Sequence, residues 1–446
     1  MLLSNEFEKF KRDCNFYFSR VLDRPLVQPD MLQIAQTQRC PLRCVMCDVF
    51  KHPSNPKEEL ATSQFKKIIN EASKWGIHEF FITGGEPFVR KDCLEITNYA
   101  AKKGLYTSIS TSGFLIDDNL AKKIARSSLG TLTFSIDGLK KTHDHVRGKG
   151  VFKKAIHAIK MIQNYKNKIR KSENDIPRIN ILSIVMNSNL EELMDLIKLA
   201  EKMKLEGIVF QPLIVDNTYM WKRDVRSSLM IPKSRLNYLF KTMDKIENYK
   251  KKTTLSYINI DTLLIKKYFN GTLNKMDMKC YAGYNRIFIR FNGDTGSTCF
   301  SNWGNIKDKS LKEIWYSKNG FDFRLMSKNC NKKCLQICSY RPESENFLKI
   351  CQKFLKQIKM SNVKLKNKIN LLNKGITFIQ NKEKILTSKS KILFYKKCKT
   401  ISQSKQLEQD FNDIIDTLQK IEIVKVEFRK KLNEWGYDGK IFGRME

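Results

Sequence analysis

No apolar run in this 446-residue chain approaches the roughly 20 residues needed to cross a bilayer. A membrane-spanning helix is therefore not expected. The opening residues, MLLSNEFEKFKRDC, lack the apolar core and small-residue cleavage site of a secretory signal. The expectation is a cytoplasmic protein whose thiols stay reduced. Internal repeats are absent. Acidic residues are few: 46 Asp and Glu stand against 82 Lys and Arg, for a formal net charge of +36. A charge of that size invites a nucleic-acid partner. Yet lysine far outnumbers arginine, Asn and Ile are plentiful, and the charge is spread along nearly the whole chain. That is the bias of an AT-rich genome, and nucleic-acid binding is not expected from it. Residues 351–400 stand apart, with 14 Lys and the single acid Glu383. Such density suits either a solvated helical surface or contact with an acidic partner. What remains is 41% hydrophobic and 11% aromatic, long enough for two or three domains, and globular. It also carries 12 cysteines, which in a reducing compartment point to metal or redox chemistry more than to disulfides.

Short apolar runs alternate with helical patterns between about Met31 and Leu213. The runs are MLQIA (31–35), EFFIT (79–83), YTSIST (106–111), TLTFSI (131–136), INILSIV (179–185) and GIVFQPL (207–213). Between them, 63–74, 94–103, 117–127, 152–169 and 190–204 carry a 3.6-residue period. Strands alternating with helices predict βαβ units and a parallel sheet. Six strands fall short of a closed eight-stranded barrel, so a partial, open-sided (β/α)6 barrel fits. Ligands in such sheets lie at the carboxyl ends of the strands. The chain reads as an N-terminal extension (1–30), this core (31–213), a mostly helical connector (214–279), a small cysteine-rich domain (280–340) and a Lys-rich helical extension (341–446). No chemistry is legible in the tail.

The first run leads into RCPLRCVMCD, which spaces Cys40, Cys44 and Cys47 as C-x3-C-x2-C. Three thiolates on one loop can bind three corners of a cubane iron–sulfur cluster and leave one iron open. A structural zinc site would require a fourth, distant ligand. The second run ends in TGGEP (83–87). Its glycines permit close backbone approach, their carbonyls can accept from an ammonium group, and Glu86 can add a charge-assisted hydrogen bond. An ordinary strand-to-helix turn would look the same in isolation.

In combination, C-x3-C-x2-C after a first strand and GGEP after the second resemble the radical S-adenosylmethionine (radical SAM) superfamily. The resemblance implies that Cys40, Cys44 and Cys47 ligate a 4Fe–4S cluster whose open iron binds the methionine end of S-adenosylmethionine. It implies reductive cleavage to a 5′-deoxyadenosyl radical that abstracts a substrate hydrogen. It further implies cofactor contacts at Gly84, Gly85, Glu86, Thr111 and Ser112. Ser135 and Arg147, twelve positions apart in FSIDG and HDHVRG, match a serine–arginine pair that contacts the cofactor in peptide-modifying members. Asp137 suits either ribose hydroxyls or a turn cap. Met46 replaces the aromatic usual before the last cysteine, and a thioether is adaptable enough to pack near adenine. His143 and His145 read as turn or surface residues. Asn187 and Gln211 fall at strand ends in the same region.

Cys280, Cys299, Cys330, Cys334 and Cys338, with Cys351 beyond, resemble the SPASM/Twitch extension of that superfamily, which holds auxiliary 4Fe–4S clusters. The six cysteines are too few for two clusters ligated wholly by thiolates. One auxiliary cluster on Cys280, Cys299 and two of Cys330, Cys334 and Cys338 is the expectation. Two clusters with open positions, or a zinc ribbon, are the alternatives. Cys14, Cys93 and Cys398 read as ordinary cysteines.

The resemblance implies a radical SAM oxidoreductase of the maturase type, oxidatively modifying a peptide or protein side chain and drawing electrons from a partner such as flavodoxin or ferredoxin. No peptide-recognition domain is legible before Met31. That keeps open a small-molecule substrate: a sugar, an alcohol or a tetrapyrrole. A non-catalytic iron–sulfur or zinc scaffold that binds RNA or a partner is the third reading. The residues alone single out no general base.

Overall fold

The computed structural model describes residues 2–169, 177–214, 227–274, 277–297, 299, 301–330, 334–335, 347–360, 365–399 and 405–434. Six strands, β1 (Met31–Ala35), β2 (Glu79–Thr83), β3 (Tyr106–Thr111), β4 (Thr131–Ser135), β5 (Arg178–Val185) and β6 (Gly207–Pro212), lie side by side in chain order, all parallel. Their crossovers are α2 (Thr62–Trp75), α3 (Cys93–Lys102), α4 (Asp118–Arg126), α5 (Lys140–Arg147) with α6 (Val151–Ile169), and α7 (Leu193–Lys202). This is the partial barrel that the alternating pattern predicts. Strand alternation sends Leu32, Ile34, Phe80, Ile82, Ile109, Leu132, Phe134, Ile181, Ile208 and Phe210 into one continuous core. Each fully buried aliphatic or aromatic side chain is worth about 1.5–3 kcal/mol relative to exposure.

The sheet does not stop at six strands. The stretch read as a helical connector carries α8 (Leu236–Tyr249), α9 (Thr262–Phe269) and, between them, β7 (Tyr257–Asn259), which pairs parallel with β6. On the other side, β8 (Arg286–Arg290) pairs parallel with β1, in register Met31↔Arg286 to Ala35↔Arg290. From β8 the sheet turns antiparallel through β9 (Asp294–Ser297) and β10 (Ser301–Asn305). The cysteine-rich segment is thus fused to the first strand of the core by backbone hydrogen bonds. Its hydrophobic centre is Trp303, Trp315 and Phe323, contributed by β10, α10 (Leu311–Trp315) and α11 (Lys318–Lys328).

Residues 28–340 form one compact unit. The second unit joins residues 1–27 to 341–446, so α1 (Leu2–Val21) packs with α12 (Phe347–Met360), α13 (Leu365–Lys399) and α14 (Lys405–Glu434). Phe10 and Phe354 stack at 4.2 Å between centroids, and Tyr17 shares a buried 3.0 Å hydrogen bond with Thr417. Cys14 and Cys351 are both buried in this helical core. Cys351, grouped by sequence with the later cysteines, belongs here instead. Among the described residues no helix is long and apolar enough to cross a membrane.

Candidate metal centre and cofactor site

The loop after β1 carries the three thiols, and it is anchored before it reaches them. Glu59, whose side chain is buried, accepts from Thr37 Oγ1 (2.5 Å), Ser54 Oγ (2.6 Å) and Arg39 Nε and Nη2 (3.0 and 2.9 Å). Arg90 reaches the same carboxylate at 3.3 Å and grips Asp92 with two nitrogens. Burial alone would raise the Glu59 carboxyl, but Arg39, Ser54 and Thr37 together hold it below its ordinary range.

The GGE turn after β2 is built against this loop. Gly85 N–H donates to Thr37 O at 2.8 Å and Glu86 N–H to Arg39 O at 2.9 Å. A Cβ on Gly84 would sit 2.2 Å from Thr37 O, and one on Gly85 2.2 Å from Arg39 O. The close approach that requires glycine is therefore to the thiol loop's own backbone. Glu86 is also committed inside the protein. It accepts from Thr111 Oγ1 (2.7 Å) and from the N–H and Oγ of Ser112 (2.9 and 2.5 Å). Glu86, Thr111 and Ser112 are buried together, a brace between the ends of β2 and β3.

At the end of β4, Ser135 is half-buried and Asp137 wholly buried. Both Asp137 carboxylate oxygens have partners within the protein: Oδ1 accepts from Ile184 N–H (2.7 Å) and Oδ2 from Arg147 Nε (2.6 Å). Arg147, at the end of α5, turns its Nη1 toward Cys44 Sγ at 3.9 Å. Val45 N–H also donates to Val146 O at 2.9 Å, tying the thiol loop to that helix end.

Two members of this arrangement escaped sequence reasoning. His143, expected at a turn or the surface, is fully buried, and its Nδ1 accepts from Asp137 N–H at 3.1 Å. Burial, then the nearby Arg147 cation, push its pKa down to about 4, so it is neutral. Its position on the inner face of α5 was the available signal. His145 is exposed, as expected. Asn189 is fully buried, donates to Asp137 O (2.9 Å) and Ile184 O (2.7 Å), and accepts from Met186 N–H (2.9 Å). Asn187 accepts from Arg235 through both of its oxygens, and Gln211 lies near the end of β6.

Cys40, Cys44 and Cys47 are free thiols, packed with Leu42, Met46, Val146, Val151, Met186 and Leu213. Burial pushes the Cys40 thiol up to about 12 and Cys44 up to about 11. A thiolate here needs positive charge beside it, which bound iron provides. Among the described residues no three His, Cys, Asp or Glu side chains converge to hold a single ion. A structural zinc would need a fourth ligand beside these three thiols, whereas a cubane takes its three thiolates on separate irons. In the cysteine-rich segment Cys280, Cys299, Cys330 and Cys334 are all partly buried. Ala282 N–H donates to Cys280 Sγ at 3.4 Å. Cys338 lies outside the described residues.

A parallel half-barrel with three free thiols on its first carboxyl-end loop defines a protein built to hold an iron–sulfur cluster. Residues 34–200 match the model of the radical SAM superfamily, and residues 280–339 match SPASM, an iron–sulfur cluster-binding domain. The chain belongs to the radical SAM superfamily and carries a SPASM domain. Its cofactors are accordingly a 4Fe–4S cluster, S-adenosylmethionine and auxiliary iron–sulfur clusters.

It is 32% identical to Fe-coproporphyrin III synthase of Methanosarcina barkeri over 40% of this chain and 42% of that one. It is 24% identical to PqqA peptide cyclase of Rhizobium meliloti over 67% and 76%. The chain thus spans under half the length of the first and about three quarters of the second. In fold it resembles Streptococcus suis SuiB bound to the precursor peptide SuiA, with a TM-score of 0.53 at 18% identity, covering 72% of this chain and 71% of that one.

Proposed function

We propose that this radical SAM enzyme oxidatively modifies a peptide or protein side chain. In this reading Cys40, Cys44 and Cys47 hold the cluster. Gly84, Gly85, Glu86, Thr111, Ser112, Ser135, Asp137, Arg147 and Met46 form the wall against which S-adenosylmethionine is held. The observation that carries the reading is the locking of the Gly84–Glu86 turn onto Thr37–Arg39 by two backbone hydrogen bonds, which makes thiol loop and cofactor wall one rigid edge. When bound, the cluster and S-adenosylmethionine supply one-electron cleavage of the sulfonium and, from it, hydrogen-atom abstraction. The chain's own residues orient and shield. The Glu86–Thr111–Ser112 brace fixes two strand ends, the Asp137–Arg147 pair keeps a cation beside Cys44, and Leu42, Met46, Val151 and Leu213 keep water from the thiols.

Cys280, Cys299 and two of Cys330, Cys334 and Cys338 hold an auxiliary cluster in this reading. The β8–β1 pairing runs that segment alongside the strand that leads to Cys40. The likeness to PqqA peptide cyclase supports a peptide substrate. A low-potential donor such as flavodoxin or ferredoxin supplies the electron, and the cytoplasm is the proposed location.

The test is anaerobic reconstitution with dithionite and S-adenosylmethionine, reading 5′-deoxyadenosine and iron in wild type and in the Cys40/Cys44/Cys47→Ala triple variant. Cleavage by wild type alone is expected, with iron in the variant lower by about four per chain but not zero. An iron-loaded wild type that yields no 5′-deoxyadenosine overturns the reading. A tetrapyrrole substrate is the second reading, supported by the 32% identity to Fe-coproporphyrin III synthase. Deuterium carried into 5′-deoxyadenosine from a labelled peptide, and not from a labelled porphyrin propionate, decides for the first.

A further inference from the structure

We propose that Arg147 sets the reduction potential of the cluster held by Cys40, Cys44 and Cys47, by placing a fixed cation against the Cys44 sulfur. The inference rests on the assignment of those thiols as cluster ligands and concerns what this chain has built beside them.

Arg147 is largely buried, and both of its polar contacts are specified. Nε donates to Asp137 Oδ2 at 2.6 Å, and Nη1 points at Cys44 Sγ at 3.9 Å. The carboxylate that aims it is immobile. Asp137 Oδ1 is fixed by Ile184 N–H, its backbone N–H is held by His143 Nδ1, and its backbone carbonyl by Asn189 Nδ2. Strand β5, helix α5 and the turn before α7 therefore converge on one acid, whose other oxygen is spent on Arg147. An ion pair needed only for stability would not require its cation to end at a sulfur. A side chain needed only to bind a carboxylate would not require an edge turned to Cys44.

The consequence is electrostatic. One electron from an external low-potential carrier takes the cluster from the 2+ to the 1+ state, with no proton taken up and no bond formed in the protein. That step adds one negative charge beside Arg147. A buried cation and an N–H donor at a ligand sulfur both favour the more negative state, so both raise the potential. Asp137 tempers the cation without neutralising its far edge. The reaction needs a cluster that a cellular donor can reduce, and this placement supplies such a bias from the protein alone.

The test compares Arg147→Gln and Arg147→Lys with wild type, all reconstituted anaerobically, in redox titrations followed by electron paramagnetic resonance without S-adenosylmethionine. The relevant signal is the one missing from the Cys40/Cys44/Cys47→Ala triple variant. Arg147→Gln, which keeps an amide donor but loses the charge, is expected to lower the ratio of reduced to oxidised cluster at a fixed potential about tenfold, 59 mV for one electron. Arg147→Lys, which keeps the charge, is expected to stay much nearer wild type. Iron counts and oxidised-state S-adenosylmethionine affinity are measured on the same samples. A wild-type potential in Arg147→Gln with full iron content overturns the proposal, as does an equal fall in both variants. Absence of the signal from wild type itself would instead overturn the cluster assignment.

Discussion

Gly85→Ala isolates the joint between the two motifs. Gly85 does not have a positive φ, so the substitution carries no left-handed strain. Its cost comes from space alone. The new Cβ would lie 2.2 Å from Arg39 O, 2.7 Å from Arg39 C and 2.8 Å from Gln38 C, all backbone atoms that no rotamer change can move. Relief requires the turn and the loop to part by the better part of an ångström. That stretches the 2.8 Å and 2.9 Å hydrogen bonds joining Gly85 to Thr37 and Glu86 to Arg39. Overpacking of this kind costs about 1–3 kcal/mol, and the strained hydrogen bonds add about 1 kcal/mol each when lost. A total near 4 kcal/mol corresponds to a melting temperature lower by roughly 6 °C for a unit the size of residues 28–340.

The displaced residue, Arg39, directly precedes Cys40, so the damage should reach the cluster. The assay is thermal melting together with iron per chain after identical anaerobic reconstitution. The control is Gly104→Ala, where φ is +84° and nothing lies within 4 Å of the new Cβ. That control meets backbone strain alone, about 1 kcal/mol. Gly85→Ala with full iron and a melting temperature no lower than the control would refute the close-packing argument.

The neutral, buried His143 should make stability fall on acidification. Its folded pKa of about 4 lies below the ordinary 6.5, so between those values the unfolded chain binds the proton first. About 3 kcal/mol drains away as pH falls from 6.5 to 4. His143→Asn, which keeps an acceptor for Asp137 N–H, should flatten that part of the denaturation-against-pH curve; an unchanged slope would exclude the assignment. Asn189→Ala removes three buried hydrogen bonds and should cost about 3 kcal/mol in urea unfolding, while Asn187→Ala should cost less. Cys93→Ala should retain all iron, since Cys93 is buried in the core under α3. Cys280→Ala should lose about four irons yet still cleave S-adenosylmethionine, and loss of cleavage with it would show that cleavage requires the auxiliary cluster.

The strands β1 to β6 were legible because each is a short apolar run whose period differs from that of the helices around it, and their observed ends fall within a residue or so of the expected ones. The thiol triplet and GGEP were legible because their chemistry is local. Partners across the chain were not. Nothing in TGGEP says that Glu86 spends its carboxylate on Thr111 and Ser112, 25 and 26 residues on. Nothing in FSIDG says that Asp137 ties Arg147 to β5. The largest omission, the pairing of β8 with β1, joins residues some 255 positions apart, and no hydrophobic period encodes which edge a strand joins. The same holds for α1, whose amphipathic face gives no hint that its neighbours are α12, α13 and α14.

These hidden pairings bear directly on function. A SPASM segment joined by a flexible tether would leave its cysteines at a variable distance from the first loop. Here β8 is hydrogen-bonded along the whole of β1, from Met31↔Arg286 to Ala35↔Arg290, and β1 runs straight into the loop that bears Cys40. Any strain in the β8–β9 hairpin is therefore transmitted through a parallel ladder to the thiols. A proline at Phe288, whose partner is Gln33, tests this coupling. It would remove one ladder donor and its ring would clash in the pair, a cost of about 3 kcal/mol. If the two regions are mechanically one, the variant loses iron from the Cys40–Cys47 site as well as from the cysteine-rich segment. Electron paramagnetic resonance of the reduced protein, with and without S-adenosylmethionine, separates the two. An unaltered cofactor-responsive signal beside a missing auxiliary one would show that the ladder carries no such load.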